Sequence, residues 1–311
     1  ADLIGTLYID EPFNKSGMKN LPRFPIFSSK NESYVYFDKN FIQDGQLKRD
    51  KFFYVVEAFE IDSLDNFSTD NLRFDGYLTS AGIFPVFREP LTVMKDYSLG
   101  FEHSVPKEGY QMFGGLAHFY NTVSLSNMGF GGLGRLDYIT STVYSKSFNF
   151  SPLQVTARTD AFEMRERRTQ VEFPQGKGTV LELDWQVENN NLFVQTDTLP
   201  LQLFGEAGFK GKMKIAPGGA AADGKIAFDQ AVIISHFFDF KSRSLKADTA
   251  DFKLLADNSE KEAFLANDYL TNIDFEKRSA TFKYINQNSR LSFPFNQFVC
   301  TLDEADWSMD K

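Results

Sequence analysis

GRLDYITSTVYSKSFNFSPLQVTARTDAFEM, residues 134–164, and GKIAFDQAVIISHFFDFKSRSLKADTADFKL, residues 224–254, align without a gap at an offset of ninety positions. The matches preserve chemistry: Gly134 with Gly224, Leu136 with Ile226, Tyr138 with Phe228, Ser145 with Ser235, Phe148 with Phe238, Phe150 with Phe240, Val155 with Leu245 and Phe162 with Phe252. The unit they define is an aromatic Phe-x-Phe strand, a turn, and a second strand ending in aromatic-x-aliphatic. One such unit cannot hide its apolar face alone, whereas stacked neighbours can. A further offset of 55 lays Phe293, Phe295, Cys300, Trp307 and Met309 on Phe238, Phe240, Leu245, Phe252 and Leu254, and residues 63–74 resemble residues 244–254 with one insertion.

Outward from these stretches the apolar period stays at two. Leu181, Leu183, Trp185 and Val187 alternate with Glu182, Asp184 and Gln186, which marks a strand with one buried face. Glu188-Asn189-Asn190-Asn191 tolerates positive φ, so residues 180–196 read as a hairpin. Met213 and Ile215, between Lys212 and Lys214, read as an edge or solvent-backed strand, with turns at Pro217-Gly218-Gly219 and Asp223-Gly224. One short helix is predicted over 259–270, where Ser259 precedes Glu260-Lys261-Glu262 as a cap.

The expected fold is therefore all-β: an elongated repeat-built sheet, β-solenoid or sandwich of mostly antiparallel or mixed strands, with at most one or two short helices. An N-terminal β segment is expected over 1–100, and a β-repeat region over 101–311 with units near 134–164, 224–254 and 279–309. The content of 34 Phe and 12 Tyr among 311 residues supports pleated, half-buried surfaces over helices.

Composition narrows the function classes. With 33 Lys and Arg against 42 Asp and Glu, the formal net charge is −9, which opposes binding to a phosphate backbone. The densest basic cluster, Arg165-Glu166-Arg167-Arg168, reads as a solvated strand end. A single cysteine, Cys300, rules out an internal disulfide and leaves the redox compartment unread. No apolar stretch is long enough for a membrane-spanning helix. The chain begins at Ala1 and stops at Lys311 directly after a patterned segment, so it reads as part of a larger product.

Chemical motifs are few. Gly129-Phe130-Gly131-Gly132-Leu133-Gly134 matches the dinucleotide glycine pattern, but Arg135 to Thr140 alternate like a strand where that motif needs a helix, so a glycine-rich β-turn is expected and no cofactor. Cys300 with His103, His118 or His236 as base is conceivable as a nucleophile, yet its repeat partners Val155 and Leu245 ask for a small apolar group. The three histidines show no metal-ligand spacing. Trp185 and Trp307 could stack sugars, but Trp307 stands where the repeat places Phe162 and Phe252, which favours a core position.

Three segments carry a resemblance: Phe59-Glu60-Ile61-Asp62-Ser63-Leu64-Asp65-Asn66-Phe67, Gly76-Tyr77-Leu78-Thr79-Ser80-Ala81-Gly82-Ile83-Phe84-Pro85 and Ala305-Asp306-Trp307-Ser308-Met309-Asp310. They resemble very large cell-envelope proteins of Bacteroidota, with β-repeat bridges of the AsmA/TamB and LptA kind as the architectural parallel. Asp62-Ser63-Leu64, Asp197-Thr198-Leu199 and Asp248-Thr249-Ala250 are similar to the O-glycosylation acceptor of that phylum. The resemblance implies an exported, periplasmic or outer-membrane-associated segment acting as scaffold or apolar conduit. Phe148, Phe150, Phe238, Phe240, Phe293 and Phe295 would line such a conduit, with lipid or other envelope proteins as partners. A glycan-binding module and a β-rich hydrolase are the alternatives.

Overall fold

The computed structural model describes residues 1–9, 25–30, 33–66, 68–69, 72–256 and 261–309. Strands make up 61% and helix 3%, and among the described residues no helix has seven or more residues. The chain divides into two compact units, residues 1–134 with 149–152, and residues 135–148 with 153–311.

The first unit holds two small antiparallel sheets. One joins Gly5–Tyr8, Ile26–Ser29 and Glu60–Ile61; the other joins Ser33–Tyr36, Phe52–Val56, Gly76–Ser80 and Phe87–Arg88. Beyond them the long strand Ala117–Ser126 pairs through its first half with Tyr110–Met112 and through its second half with Leu99–Ser104. Phe84, Phe119, Phe130 and Phe150 pack there as a cluster, with neighbouring ring centroids 5.0–5.8 Å apart, mostly tilted or edge to face.

The second unit repeats that division of one strand between two partners. Ala207–Ala216 pairs with Leu201–Leu203 through residues 207–209 and with Asn191–Thr196 through residues 212–215. Between the two halves sits Gly211, at φ +151, facing Gly224, also at φ +151. Their backbones meet so closely that a Cβ on Gly211 would lie 2.1 Å from the Asp223 carbonyl oxygen. Only glycine allows that approach, and the bend it produces sends the two halves of the strand to different neighbours. Asp223-Gly224 is thus no turn but the middle of the strand Gly219–Phe228. In the first unit Asn121, at φ 96, and Gly134, at φ 143, stand ninety positions earlier.

Because each bent strand serves two partners, the sheet closes. From Ser141–Phe150 one route of pairing runs through Ala161–Met164, Gly176–Gly178 and Leu201–Leu203 to Ala207–Ala216. The other runs from Ala207–Ala216 through Asn191–Thr196 and Leu181–Gln186 to Gln154–Arg158, the next strand after Ser141–Phe150. The result is a closed eight-stranded barrel with further strands outside it, and not a solenoid. Its interior is filled by side chains that include Trp185, Leu192, Leu201, Phe209, Met213 and Ile215, each at 0% exposure. Met213 and Ile215 therefore belong to a strand paired on both sides, with Lys212 and Lys214 exposed on its other face: of the edge or solvent-backed strand that the sequence suggested, it is the solvent-backed one.

The hairpin expected over 180–196 is present as Leu181–Gln186 paired with Asn191–Thr196. The helix expected over 259–270 is replaced, within the described residues, by the strand Glu262–Asp274; Ser259 and Glu260 lie outside them. Within that strand a bulge at Asp268, which has φ 56, shifts the alternation by one residue. Ala266 and Tyr269, both buried, thereby stand three apart and imitate a helical period.

Candidate functional site

The six phenylalanines expected as a lining do not form one continuous surface. Phe148, Phe150, Phe238 and Phe240 are enclosed in core, at 3%, 0%, 0% and 0% exposure. Phe293 ends the strand Arg290–Phe293 half-buried, and Phe295 lies in the adjoining 3-10 turn at 58% exposure. The offset of 55 fails here for a simple reason: Phe238 and Phe240 lie on one strand, whereas Phe293 and Phe295 straddle its end.

Ladder registers give a different correspondence. Leu192 and Val194 pair with Ile215 and Met213, while Ala280 and Phe282 pair with Trp307 and Ala305. Leu201 and Leu203 pair with Phe209 and Ala207, while Leu291 and Phe293 pair with Cys300 and Phe298. Cys300 therefore occupies the rung of Phe209 and Trp307 that of Ile215, and both are half-buried. Trp185, at 0% exposure, offers no face to a sugar.

Extending these rungs to the first unit exposes a polar cluster. Phe101 and His103 pair with Leu125 and Val123, and Tyr110 and Met112 with Phe119 and Ala117. His103 thus stands on the rung that holds Val194 and Phe282, and Tyr110 on the rung that holds Leu201 and Leu291, all four nearly or fully buried. Two core positions are polar in this copy alone, and they bond to each other. His103 Nε2 lies 2.8 Å from the Tyr110 hydroxyl, and His103 Nδ1 lies 2.8 Å from Glu89 Oε2.

With the ring proton on Nδ1, that N–H donates to the Glu89 carboxylate and the Tyr110 hydroxyl donates to Nε2, so one tautomer accommodates both contacts. Phe87 stacks on the imidazole at 4.3 Å, and the imidazole is nearly coplanar in tilt with Tyr110, at 8°. Burial, with a smaller contribution from the Glu89 charge, pushes the Tyr110 phenol above its ordinary range, so it stays a proton donor at neutral pH. Beside the cluster lies a shallow surface cavity of about 420 Å³ whose walls include Arg73, Glu89, Thr92, Lys95, Phe101 and Glu102. Both ring nitrogens are thus engaged within the cluster. The chemistry available is a hydrogen-bonded clasp between Leu99–Ser104, Tyr110–Met112 and the segment carrying Glu89.

The sequence pointed to His103 only as a possible base for Cys300, and gave no signal for Glu89 or Tyr110. His236 is exposed and faces Asp223 at 3.3 Å, and His118 pairs across its ladder with Gln111. Gly129–Tyr138 is a strand, with its glycines inside it and no helix after it. In the Arg165–Arg168 cluster, Arg168 reaches Glu166 at 2.6 Å and Glu276 at 3.4 Å, and Arg167 lies over the Phe173 ring. Of the three acceptor-like sites, Thr198 and Thr249 are exposed and Ser63 is half-buried. The similarity expected for residues 63–74 includes positions 67, 70 and 71, which lie outside the described residues.

No family model, curated protein or solved structure matches this chain.

Proposed function

We propose that the chain is a non-enzymatic structural segment of a large exported cell-envelope protein, a scaffold built from recurring β units. The observation that carries this reading is the recurrence of strand bounds. Ala117–Ser126, Gly129–Tyr138 and Ser141–Phe150 recur ninety positions later as Ala207–Ala216, Gly219–Phe228 and Ala231–Phe240.

The recurrence extends to detail. Ser145 Oγ accepts the Ser147 amide at 3.0 Å and donates to the Arg158 carbonyl; Ser235 Oγ accepts the Phe237 amide at 3.1 Å and donates to the Thr249 carbonyl. A serine hydroxyl that caps the amide two residues on at the same place in both copies supports a unit that is reused whole. Units of this kind gain stability from adjacent copies, which suits a load-bearing or spacing role. The envelope location rests on the sequence resemblance.

Fractionation of cells carrying the full reading frame, followed with an antibody to this segment, tests the reading. Recovery with the envelope is expected, and recovery in the cytosol contradicts it. A glycan panel read by thermal shift is expected to leave the melting temperature unchanged, whereas stabilisation by mass action would favour a binding module.

A further inference from the structure

The correspondence of rungs singles out one sheet edge. Ala207–Ala216 is paired on both sides, and its inward residues Ala207, Phe209, Met213 and Ile215 are all at 0% exposure. Its counterparts, Phe298–Cys300 and Glu304–Ser308, pair with Arg290–Phe293 and Ser279–Tyr284 on one side only, among the described residues. The strand Gly219–Phe228 covers Ala207–Ala216 on the other side, in register from Gly208 with Ala227 to Ala216 with Gly219. On the uncovered edge Phe298 stands at 53% exposure where Ala207 is enclosed, and Val299 and Leu302 are exposed beside it at 59% and 47%. An apolar edge whose strands have no ladder partner on that side among the described residues is a template for another strand.

Charge narrows the partner. Lys212 faces Asp223 across the covered ladder, and Lys214 faces Ala221. By rung, Glu304 takes the place of Lys212 and Asp306 that of Lys214, since Lys283 pairs with Glu304 as Gln195 pairs with Lys212. Glu304 also meets the Lys283 ammonium on its covered side, at 3.3 Å. The sign on this edge is therefore reversed.

We propose that Phe298–Cys300 and Glu304–Ser308 form a docking edge for a partner protein's β-hairpin of the Gly219–Phe240 pattern, with basic side chains opposite Glu304 and Asp306. The hairpin adds antiparallel to the sheet, completes the backbone ladder and covers the exposed phenylalanine. The proposal rests on the recurring-unit reading, because that reading supplies the rung correspondence.

The test uses the whole chain and two synthetic peptides spanning residues 219–240, one unaltered and one carrying Asp223→Lys. Binding is followed by fluorescence anisotropy, and its place by hydrogen exchange of residues 298–308. The Asp223→Lys peptide is expected to bind about fivefold more tightly, the size of one cross-strand charge reversal, and to protect residues 298–308. Glu304→Lys, at an exposed position, is expected to reverse the preference without altering the fold. Absence of protection at 298–308 with either peptide, equal binding of the two, or self-association of the chain through this edge overturns the proposal. None of those outcomes touches the stability of the units, which exchange in the peptide-free chain measures separately.

Discussion

Gly211 and Gly224 face each other across adjacent strands, both at φ +151, and the carbonyl oxygen of Lys210 lies 2.3 Å from where a Cβ on Gly224 would stand. This contact bends the long strand and lets one segment bond to two neighbours. Gly224→Ala is expected to destabilise the chain by about 2–4 kcal/mol, because strained φ and a backbone clash add. Gly218→Ala, in a turn with open space around it, is expected to cost under about 0.5 kcal/mol. Urea unfolding of the two variants checks the difference.

The clasp of His103 with Tyr110 and Glu89 behaves as a unit. Tyr110→Phe removes the donor to Nε2 and is expected to cost about 1–2 kcal/mol, the range for an unsatisfied group in a half-buried site. Replacing both residues with those of the corresponding rungs, His103→Val with Tyr110→Leu, is expected to cost less than the two single changes together, by about 1 kcal/mol. A double-mutant cycle in urea reads the coupling, and simple additivity would show that the residues act independently.

Buried phenols set the alkaline limit of stability. Burial pushes Tyr138 up to about 12, and its hydroxyl donates to the Asn190 carbonyl at 2.6 Å. The unfolded phenol ionises near its ordinary value of 10.0. Stability from this group is therefore intact below pH 10 and declines above it, as the unfolded chain releases a proton that the folded chain keeps. The slope is about 1.4 kcal/mol per pH unit for one such group. In Tyr138→Phe the unfolding free energy is expected to fall less steeply between pH 10 and about 12, by about one proton.

Acid works through the carboxylates of the loop after Ala161–Met164. Hydrogen bonds from the Ser242 hydroxyl and then its amide hold Glu172 below the usual carboxylate range. At Glu166 burial pushes upward, but the bonds from Arg168 and Arg243 outweigh it and the carboxyl ends below its ordinary value. Both contributions are present above the unfolded carboxylate range and are lost as pH falls through the folded values. Glu172→Gln is expected to flatten the fall in stability below about pH 4.5, measured by urea midpoints across the acid range.

What the sequence made legible was the alternation itself. Leu181, Leu183 and Trp185 against Glu182 and Asp184 mark a strand because one face must meet water and the other must not. Barrel closure was hidden, since it depends on Gly211 bending a strand whose glycine reads locally as a turn or a weakness. The helix expected over 259–270 rested on a local cap pattern at Ser259, which says nothing of the ladders that make Glu262–Asp274 a strand. The clasp escaped for a related reason. One extra residue in the turn between Met112 and Ala117 sets His103 and Tyr110 ninety-one positions from Val194 and Leu201, off the ninety-residue offset that aligns the longer strands. Polar residues in apolar slots become visible only when the ladders are laid rung on rung.

Two compact units make one demand that a single cooperative core does not. Phe252 is fully buried and touches Phe264, Phe282 and Trp307, with ring centroids 4.8–6.1 Å away. Phe252→Ala removes about 3–5 kcal/mol of local packing. Hydrogen exchange of this variant, followed strand by strand, is the direct measurement. Protection is predicted to drop from Ala231–Phe240 through Glu304–Ser308 while Phe52–Val56 and Gly76–Ser80 exchange as in the wild type. An equal loss of protection in every strand of the chain would contradict the account.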